Sequence, residues 1–231
     1  MEKQEKIVSM FNDIAGTYDI ANRVLSMGID KSWRNKACNK TFELYGKKTI
    51  EKIVDVACGT GDMILFWKKV ANENNIDLQN IIGVDPSVGM MEVGKKKLPD
   101  VEFIEAGAAS MPLEDSSADI ISISYGIRNV VQRQEAFHEF ARVLKKDGLV
   151  VINEFTKNKK EKPLDYVTDF YMNKILPVLG GLISKNKEAY TYLPNSIDEF
   201  LTTENLCKEL KNAGLEPIHV KAFSMNISTL I

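Results

Sequence analysis

Cysteine and net charge are both scarce in this sequence, and each scarcity excludes a class of protein. The three cysteines, Cys38, Cys58 and Cys207, form no C-x-x-C pair, which excludes a disulfide framework and a structural zinc site. The 30 basic and 32 acidic side chains leave a net charge of -2, so nucleic acid is not an expected partner. Free cysteines fit a reducing, cytoplasmic compartment.

Signals for export and for membrane spanning are lacking as well. The first six residues (MEKQEK) alternate in charge and have none of the apolar character of a secretory signal. The apolar run at 175–183 contains Pro177 and is far shorter than the about 20 residues that cross a bilayer. We therefore expect no transmembrane helix. Neither His138 nor His219 has a second ligand at metal-binding spacing, so we also expect no metal site.

What the sequence does contain is an alternation of short β-branched runs and helical segments from residue 52 onward. Strands are predicted at 53–57, 81–84, 101–104, 120–124 and 149–155, each apolar enough to be buried on both faces. Helices are predicted at 63–71, 88–96 and 134–144, the last of them ending in the basic residues and glycine of 145–148. This alternation predicts an α/β domain with a mostly parallel, doubly wound, Rossmann-like sheet.

Segments of different character flank this unit. Residues 1–48 carry two helical stripes and are predicted to form a helical extension before the core at 49–156. Residues 157–202 are apolar and aromatic but contain Pro177, Gly180, Gly181 and Pro194, which predicts a cover of short, broken helices. Residues 203–231 are predicted to form a helix that Gly214 ends, followed by a β-hairpin. We therefore predict a single domain in four parts.

The strongest local motif is the loop at 55–62 (DVACGTGD). Its glycines permit a tight turn that brings backbone N–H groups to a ligand at a helix N-terminus, although an ordinary strand-to-helix turn explains a lone G-x-G equally well. A dinucleotide site would need a third glycine where the chain has Ile64. S-adenosylmethionine instead needs an ammonium acceptor, close backbone approach and an acid for its ribose. We predict that these groups are Asp55, Gly59, Thr60, Gly61 and Asp85, with Asp85 on the ribose.

Four sequence blocks resemble one known family, the ubiquinone/menaquinone biosynthesis C-methyltransferases of the demethylmenaquinone methyltransferase type. They are 10–15 (MFNDIA) with Tyr18, Asp19 and Asn22, the 55–62 loop, 124–130 (SYGIRNV) and 190–197 (YTYLPNSI). The match runs in register over nearly the whole chain. The loop alone indicates only the methyltransferase superfamily, whereas the last two blocks are typical of the quinone family.

The resemblance implies a class I methyltransferase fold whose seven-stranded sheet ends in an antiparallel hairpin. It also implies that Thr60, Asp85, Gly107, Ala108 and Ser124 contact S-adenosylmethionine. Gly107 stands where the family usually has an Asp or Asn that reaches the adenine amino group, so this contact must come from backbone, water or another residue. Cys58, where the family usually has glycine, is predicted to be a packing residue.

The implied substrate is a lipid quinol that is methylated at a ring carbon. Loss of a hydroxyl proton makes that carbon nucleophilic, so we predict that Arg128 stabilises the phenolate and that Arg128 and Asn129 polarise a water relay or a carboxylate. Arginine stays protonated and cannot be the base itself. By residue type alone, a strand cap paired with a surface acid is the more common role for an arginine, and it is the block around Arg128 that favours the functional role.

A water-excluding lid over the ring is also expected, because transfer of a methyl cation equivalent depends on alignment rather than on a strong acid or base. Its candidate substrate contacts are Tyr18, Asn22, Tyr125, Tyr190 and Tyr192. Simple packing at the edge of the core is the alternative for Tyr18, Tyr190 and Tyr192.

Several alternatives stay open at this point. The acceptor is demethylmenaquinol, a 2-polyprenyl-6-methoxy-1,4-benzoquinol, or both; methylation of a phenol oxygen or an amine, a non-catalytic nucleotide-binding protein and a dehydrogenase are weaker alternatives. The basic run 157–162 (KNKKEK) is either a solvated loop or a peripheral contact with the inner face of the cytoplasmic membrane. Tail length and the existence of a homo-oligomer are not decided by the sequence.

Overall fold

A seven-stranded sheet forms the centre of the computed structural model, which describes residues 2–157, 166, 169–184, 186–224 and 227–231. Its strands are β2 (Ile53–Val56), β4 (Ile81–Asp85), β5 (Glu102–Glu105), β6 (Ala118–Ser124), β7 (Leu144–Glu154), β8 (Lys221–Phe223) and β9 (Ser228–Leu230). The order is β5-β4-β2-β6-β7-β9-β8, in which the first five strands are parallel and β9 is antiparallel to both neighbours. The predicted sheet with its terminal hairpin is confirmed.

Helices cover both faces of this sheet. The connections between parallel strands contain α4 (Asp62–Glu73), α5 (Val88–Lys97) and α6 (Arg133–Val143). The N-terminal segment forms α1 (Glu2–Ile14), α2 (Tyr18–Leu25) and α3 (Ile29–Tyr45). After β7 come a π-helical turn (Tyr171–Ile175), α7 (Leu176–Ser184), α8 (Lys187–Asp198) and α9 (Thr203–Asn212). A separate parallel pair consists of β1 (Thr49–Ile50) and β3 (Asp77–Leu78).

The alternation of side chains along β2 builds two separate cores. Ile53 points into a cluster with Trp67, on the face covered by α3 and α4, whereas Val54 points into a cluster with Phe137, on the face covered by α6 and α9. A third cluster, which includes Ile14 and Leu176, joins the N-terminal helices to the cover. Helices α1 and α2 therefore pack against the cover helices, whereas α3 packs on the Trp67 face of the sheet.

One predicted feature of the sheet and one predicted helix end are wrong. Strand β5 is not buried on both faces, because it lies at the edge of the sheet, where Glu102 and Glu105 are exposed. The third connecting helix ends at Val143, and residues 145–148 belong to the irregular start of β7 rather than to a helix terminus. Pairing of Ala118 with Leu144 extends β7 beyond the apolar run that was visible in the sequence.

The expected helix breakers do not break the cover helices. Pro177 lies in the first turn of α7, where a missing N–H is tolerated, and the turn just before it is π-helical. Pro194 lies inside α8. A Cβ atom on Gly180 would lie 2.3 Å from the Tyr190 ring, so this glycine permits close contact between α7 and α8. Packing between the two helices outweighs their weak local propensity.

No helix in the described ranges is long and apolar enough to cross a membrane. The basic run 157–162 lies outside the described residues apart from Lys157, and so does the tip of the terminal hairpin at 225–226.

Candidate active site

The carboxyl ends of β2, β4 and β6 meet at one edge of the sheet, at the point where the strand order reverses. Ligands bind at such switch points in open α/β sheets because the loops on either side diverge and leave a crevice. The crevice here is a cavity whose wall includes eight of the predicted residues: Tyr18, Gly59, Asp85, Gly107, Ala108, Ser124, Tyr125 and Asn129. The structure thus brings cofactor and acceptor candidates to one place.

Asp85 holds the glycine loop in position. The backbone N–H of Gly59 donates to its Oδ2 atom at 2.8 Å, and the N–H of Ser87 donates to Oδ1 at 2.7 Å. Burial raises the pKa of Asp85 to about 6, although the two N–H groups act in the opposite direction. Gly61 has a φ of 78°, and a Cβ atom there would lie 2.7 Å from Leu98, so the turn requires glycine.

Helix α2 is tied to the same loop by charged groups. The hydroxyl of Thr60 donates to Asp19 at 2.6 Å, and Lys97 contacts Asp19 at 2.7 Å and Asp62 at 2.8 Å. Arg23 reaches from α2 to Asp62 and also contacts Asp30. The hydroxyl of Thr60 is therefore hydrogen-bonded to the N-terminal segment. Of this network, sequence reasoning had singled out only Asp19, Thr60 and Asp62, because nothing in local spacing pairs Arg23 or Lys97 with the loop.

Helix α1 closes the cavity from above. Ile7, Val8 and Phe11 line it. The side-chain Oδ1 of Asn12 accepts from the hydroxyl of Ser87 at 2.7 Å and from the N–H of Gly89 at 2.9 Å. The remaining volume is about 150 Å³, which is smaller than the roughly 300 Å³ at the low end of small-molecule sites. We therefore expect the helix to move when a cofactor enters. The 10–15 block was the sequence signal for this contact, but none of its residues had been predicted to line the site.

Asp55 lies inside the sheet and is absent from the cavity wall. Its Oδ1 accepts from Ser122, which in turn accepts from the indole N–H of Trp67 at 3.0 Å. Its Oδ2 is buried without a partner among the described residues, and burial raises the pKa of Asp55 to about 7. The predicted contact of Asp55 with the cofactor stays a prediction.

On the acceptor side, two of the family-typical blocks meet. The Tyr192 hydroxyl of α8 donates to the side-chain Oδ1 of Asn129 at 2.9 Å. The Ser124 hydroxyl is shielded from solvent and has no hydrogen-bond partner in the described part of the chain, although the residue lines the cavity. Tyr125 takes a left-handed φ of 60° just after β6, and its hydroxyl turns toward Ser228 and Asn153. Such strain at a strand end is typical of functional loops.

Arg128 is paired with a buried acid and does not line the cavity. Its Nη1 donates to Glu154 at 2.6 Å and to the Tyr125 carbonyl at 2.7 Å, and its Nε donates to Ser196 of α8 at 3.3 Å. The side chain is 6% exposed and Glu154 is fully enclosed. Burial raises the pKa of Glu154, and the Arg128 charge opposes this. The positive charge of Arg128 is thus largely neutralised by Glu154. That Arg128 stabilises the phenolate stays a prediction.

The remaining predicted substrate contacts lie at different depths. Tyr18 lines the cavity and packs edge-on against Phe11. Tyr190 is buried against Gly180, with its hydroxyl unpartnered among the described residues. Asn22 is half-buried on α2 and is not part of the cavity wall. Tyr18 is therefore the best placed of these three to contact a ligand.

A second cavity, of about 510 Å³, lies beside the start of β7 and is lined by Lys40, Lys145 and His219 among others. It contains no residue of the four blocks, and we assign the active site to the smaller cavity because the motifs converge there. Within the described ranges, no group of three or more His, Cys, Asp or Glu side chains could hold a metal ion.

Structural comparison places the fold among known methyltransferases. The structure is similar to an S-adenosylmethionine-dependent methyltransferase from Thermotoga maritima, with a TM-score of 0.60 and 20% identity over 97% of each chain. It is also similar to such an enzyme from Aquifex aeolicus, with a TM-score of 0.57 and 16% identity over 84% of this chain and 89% of that one. At these identities the likeness concerns the fold alone.

Relatives in sequence identify the family within the methyltransferases. The chain is 57% identical to the ubiquinone/menaquinone biosynthesis C-methyltransferase UbiE of Campylobacter jejuni, over 100% of this chain and 97% of the relative. It is 36% identical to the demethylmenaquinone methyltransferase of Chlorobaculum tepidum, over 100% and 91% respectively. The model of the ubiE/COQ5 methyltransferase family matches residues 1–230. The chain therefore belongs to the ubiE/COQ5 methyltransferase family.

Proposed function

We propose that the chain transfers a methyl group from S-adenosylmethionine to a ring carbon of a reduced polyprenyl quinone. The acceptor is demethylmenaquinol, a 2-polyprenyl-6-methoxy-1,4-benzoquinol, or both, as the names of the relatives indicate. The observation that carries the proposal is the hydrogen bond between Tyr192 and Asn129, because it joins the two blocks typical of the quinone family at the wall of the cofactor cavity.

The residues on the cavity wall fit S-adenosylmethionine. Asp85 keeps free lone pairs on both carboxylate oxygens after accepting two N–H groups, so it can also accept the ribose hydroxyls. The unpartnered Ser124 hydroxyl and the backbone of Gly59 supply further polar contacts, while Ala108 and Met90 offer apolar surface to the adenine ring. Bound there, the cofactor supplies an electrophilic methyl group on a sulfonium centre.

Orientation and water exclusion are the main tasks of the chain. Helix α1 shields one side of the cavity, and Tyr18 of α2 closes the adjacent side. A ring held beside Asn129 and Tyr125 would face the cofactor from the β6 side of the crevice. Alignment of the attacking carbon with the methyl group is expected to supply most of the rate enhancement.

A proton must leave the quinol hydroxyl before transfer. After transfer, the hydrogen on the methylated ring carbon must leave as a proton and the oxygen must be protonated again, so that the ring regains aromaticity with a net loss of one proton. Glu154 is the carboxylate that contacts Arg128, and both belong to the structure around the 127–129 turn that carries Asn129. We propose that this pair positions Asn129, and that a water bound by Asn129 and Tyr192 relays the proton toward solvent. Arg128 acts here as a positioning residue rather than as the base.

The decisive assay uses purified protein, labelled S-adenosylmethionine and both quinols, supplied separately with short prenyl tails, followed by mass spectrometry of the lipid fraction. A mass increase of one methyl group on the ring of at least one quinol is expected. Labelling of a phenol oxygen instead, or of neither substrate, would overturn the proposal.

We also propose that the chain contacts the membrane peripherally to collect its lipid substrate. Helices α2 and α7 contact each other and present exposed apolar side chains, with Ile20 62%, Leu182 74% and Val178 54% exposed. Met27, in the turn that follows α2, is 85% exposed. Helix α7 carries no charged residue. Exposed apolar patches of this kind mark interaction sites, and a polyprenyl tail is expected to enter from a bilayer.

A further inference from the structure

Part of the active-site cavity wall is apolar and could hold a flat aromatic ring in a slot between its residues. These residues are Pro86, Met90 and Ala108, together with Ile7 and Val8 of α1. Asp85, the proposed ribose ligand, lies directly before Pro86 in the chain. This inference rests on the proposed function, because the ring that would occupy the slot is the adenine of S-adenosylmethionine.

Gly107 leaves this slot without a side chain that could recognise adenine. The residue lines the cavity, and a Cβ atom added to it would meet no atom within 4 Å. Space for a larger residue therefore exists, but the position itself offers only backbone groups. Another residue on the wall must supply any side-chain hydrogen bonds to the amino edge of the ring.

Most polar side chains on the wall are already engaged. Both carboxylate oxygens of Asp85 accept backbone N–H groups. The Ser87 hydroxyl donates to the side-chain Oδ1 of Asn12, and the side-chain Oδ1 of Asn129 accepts from the Tyr192 hydroxyl. Gln132 also lines the cavity and is exposed. It is the N-cap residue of α6, but its side-chain amide makes no capping hydrogen bond and no other hydrogen bond to a described residue. Its donor and its acceptor are both available.

Gln132 also lies on the correct side of the cavity. It directly precedes α6, and Glu139 of α6 accepts from the N–H of Met111 at 2.6 Å, which fixes the 107–111 segment against this helix. Ala108 and Ala136 share one buried cluster. The side-chain Oε1 of Gln4, on α1, accepts from the N–H of Val131 at 3.0 Å, so α1 closes the cavity beside Gln132.

We propose that the side-chain amide of Gln132 binds the amino edge of adenine, in place of the side chain that Gly107 lacks. A primary amide offers one acceptor for the 6-amino group and one donor for the neighbouring ring nitrogen, which is the pairing that glutamine makes with adenine in other complexes. Adenine recognition in this chain then comes from the loop after β6 rather than from the end of β5.

Calorimetric binding of two ligands tests this assignment: S-adenosylhomocysteine and its analogue that lacks the 6-amino group. The wild-type chain should bind the first about 5- to 30-fold more tightly, and Gln132→Ala should reduce this ratio to near one. Gln132→Met, which keeps the side-chain size, should behave like Gln132→Ala. Gly107→Asp in the Gln132→Ala background should restore the preference, because an aspartate there can accept from the 6-amino group.

Gln134→Ala is the matched control, since it removes the same side chain two residues further on, outside the cavity. An unchanged ratio in both Gln132 variants would overturn the inference. Failure of the wild-type chain to bind S-adenosylhomocysteine at all would instead count against the proposed function, so the two failures are distinguishable.

Discussion

Asp55 shows how a buried carboxyl group in the cofactor loop affects stability. Burial raises its pKa to about 7, against the opposing effects of Ser122 and Arg34. Because its ordinary value is 3.8, the folded chain binds more protons than the unfolded chain between about pH 4 and pH 7. The contribution of Asp55 to stability is therefore present at low pH and is lost as the pH rises through this window.

Asp55→Asn should remove much of this pH dependence. We expect the melting temperature of the variant, relative to wild type, to rise between pH 5 and pH 8, since the amide never has to ionise in the core. The difference in unfolding free energy should change by about 1–4 kcal/mol over that range. Asp85, with a pKa raised to about 6, leaves some residual dependence. Exposed Asp77→Asn is the control, and parallel curves for all three proteins would contradict the prediction.

Arg128 and Glu154 form a second sensitive pair at this scale. Arg128→Ala would leave a fully enclosed carboxylate without its cation, which typically costs about 3–5 kcal/mol. We expect a lower melting temperature and a large loss of turnover, with nearly unchanged affinity for S-adenosylhomocysteine, because the side chain is not part of the cavity wall.

The double variant Arg128→Met with Glu154→Gln separates stability from chemistry. Without a buried charge it should regain most of the melting temperature, yet turnover should stay low if the pair positions Asn129. Recovery of turnover together with stability would show that the pair matters only for folding, and retained turnover in Arg128→Ala would remove Arg128 from the mechanism.

At the scale of elements, the N-terminal helices serve the site directly. Helix α1 is fastened by Asn12 to the start of α5, and α2 is fastened to the cofactor loop by the charged groups around Asp62. The cavity beneath α1 is too small to admit a cofactor without movement of the helix. Exchange of cofactor and product is therefore expected to depend on how firmly α1 is held.

Asn12→Ala should loosen this fastening. The variant loses two hydrogen bonds between α1 and α5, so we expect S-adenosylhomocysteine to dissociate roughly tenfold faster in stopped-flow measurements. Asn72→Ala, exposed on α4, is the matched control. Equal dissociation rates for Asn12→Ala and wild type would show that α1 does not limit release.

The molecule as a whole presents an apolar face formed by α2 and α7 on the side where the cover packs. Leu182→Glu places a charge on this face, whereas Ile218→Glu places one at a similarly exposed residue between α9 and β8. We expect Leu182→Glu to reduce sedimentation with phosphatidylglycerol-containing vesicles and to slow methylation of a long-tailed quinol in vesicles.

The same variant should methylate a short-tailed, water-soluble quinol at the wild-type rate, because the cavity residues are untouched. Ile218→Glu should behave like wild type in both assays. Equal vesicle binding by the two variants would contradict the membrane-facing assignment of this face.

Much of the core was predictable because local chemistry decides it. The β-branched runs of β2, β4 and β6 form strands wherever they are buried, and Gly61 is required by the turn that it makes. Asp85 was predicted as a site residue because the carboxyl end of a parallel strand faces the switch point whatever surrounds it. Eight predicted residues consequently lie on one cavity wall: Tyr18, Gly59, Asp85, Gly107, Ala108, Ser124, Tyr125 and Asn129.

Only the tertiary structure decided which partners these residues have. Glu154 lies 26 residues from Arg128 in the chain, and Asn12 lies 75 residues from Ser87, so no spacing rule connects them. The edge position of β5 and the continuity of α7 and α8 through proline and glycine also depend on neighbours that are distant in sequence. The sequence by itself determined the fold class, the cofactor loop and the family. Packing decided that Arg128 is already paired and that Gln132 faces the cavity, because burial and hydrogen bonding between distant segments exist only once the chain is folded.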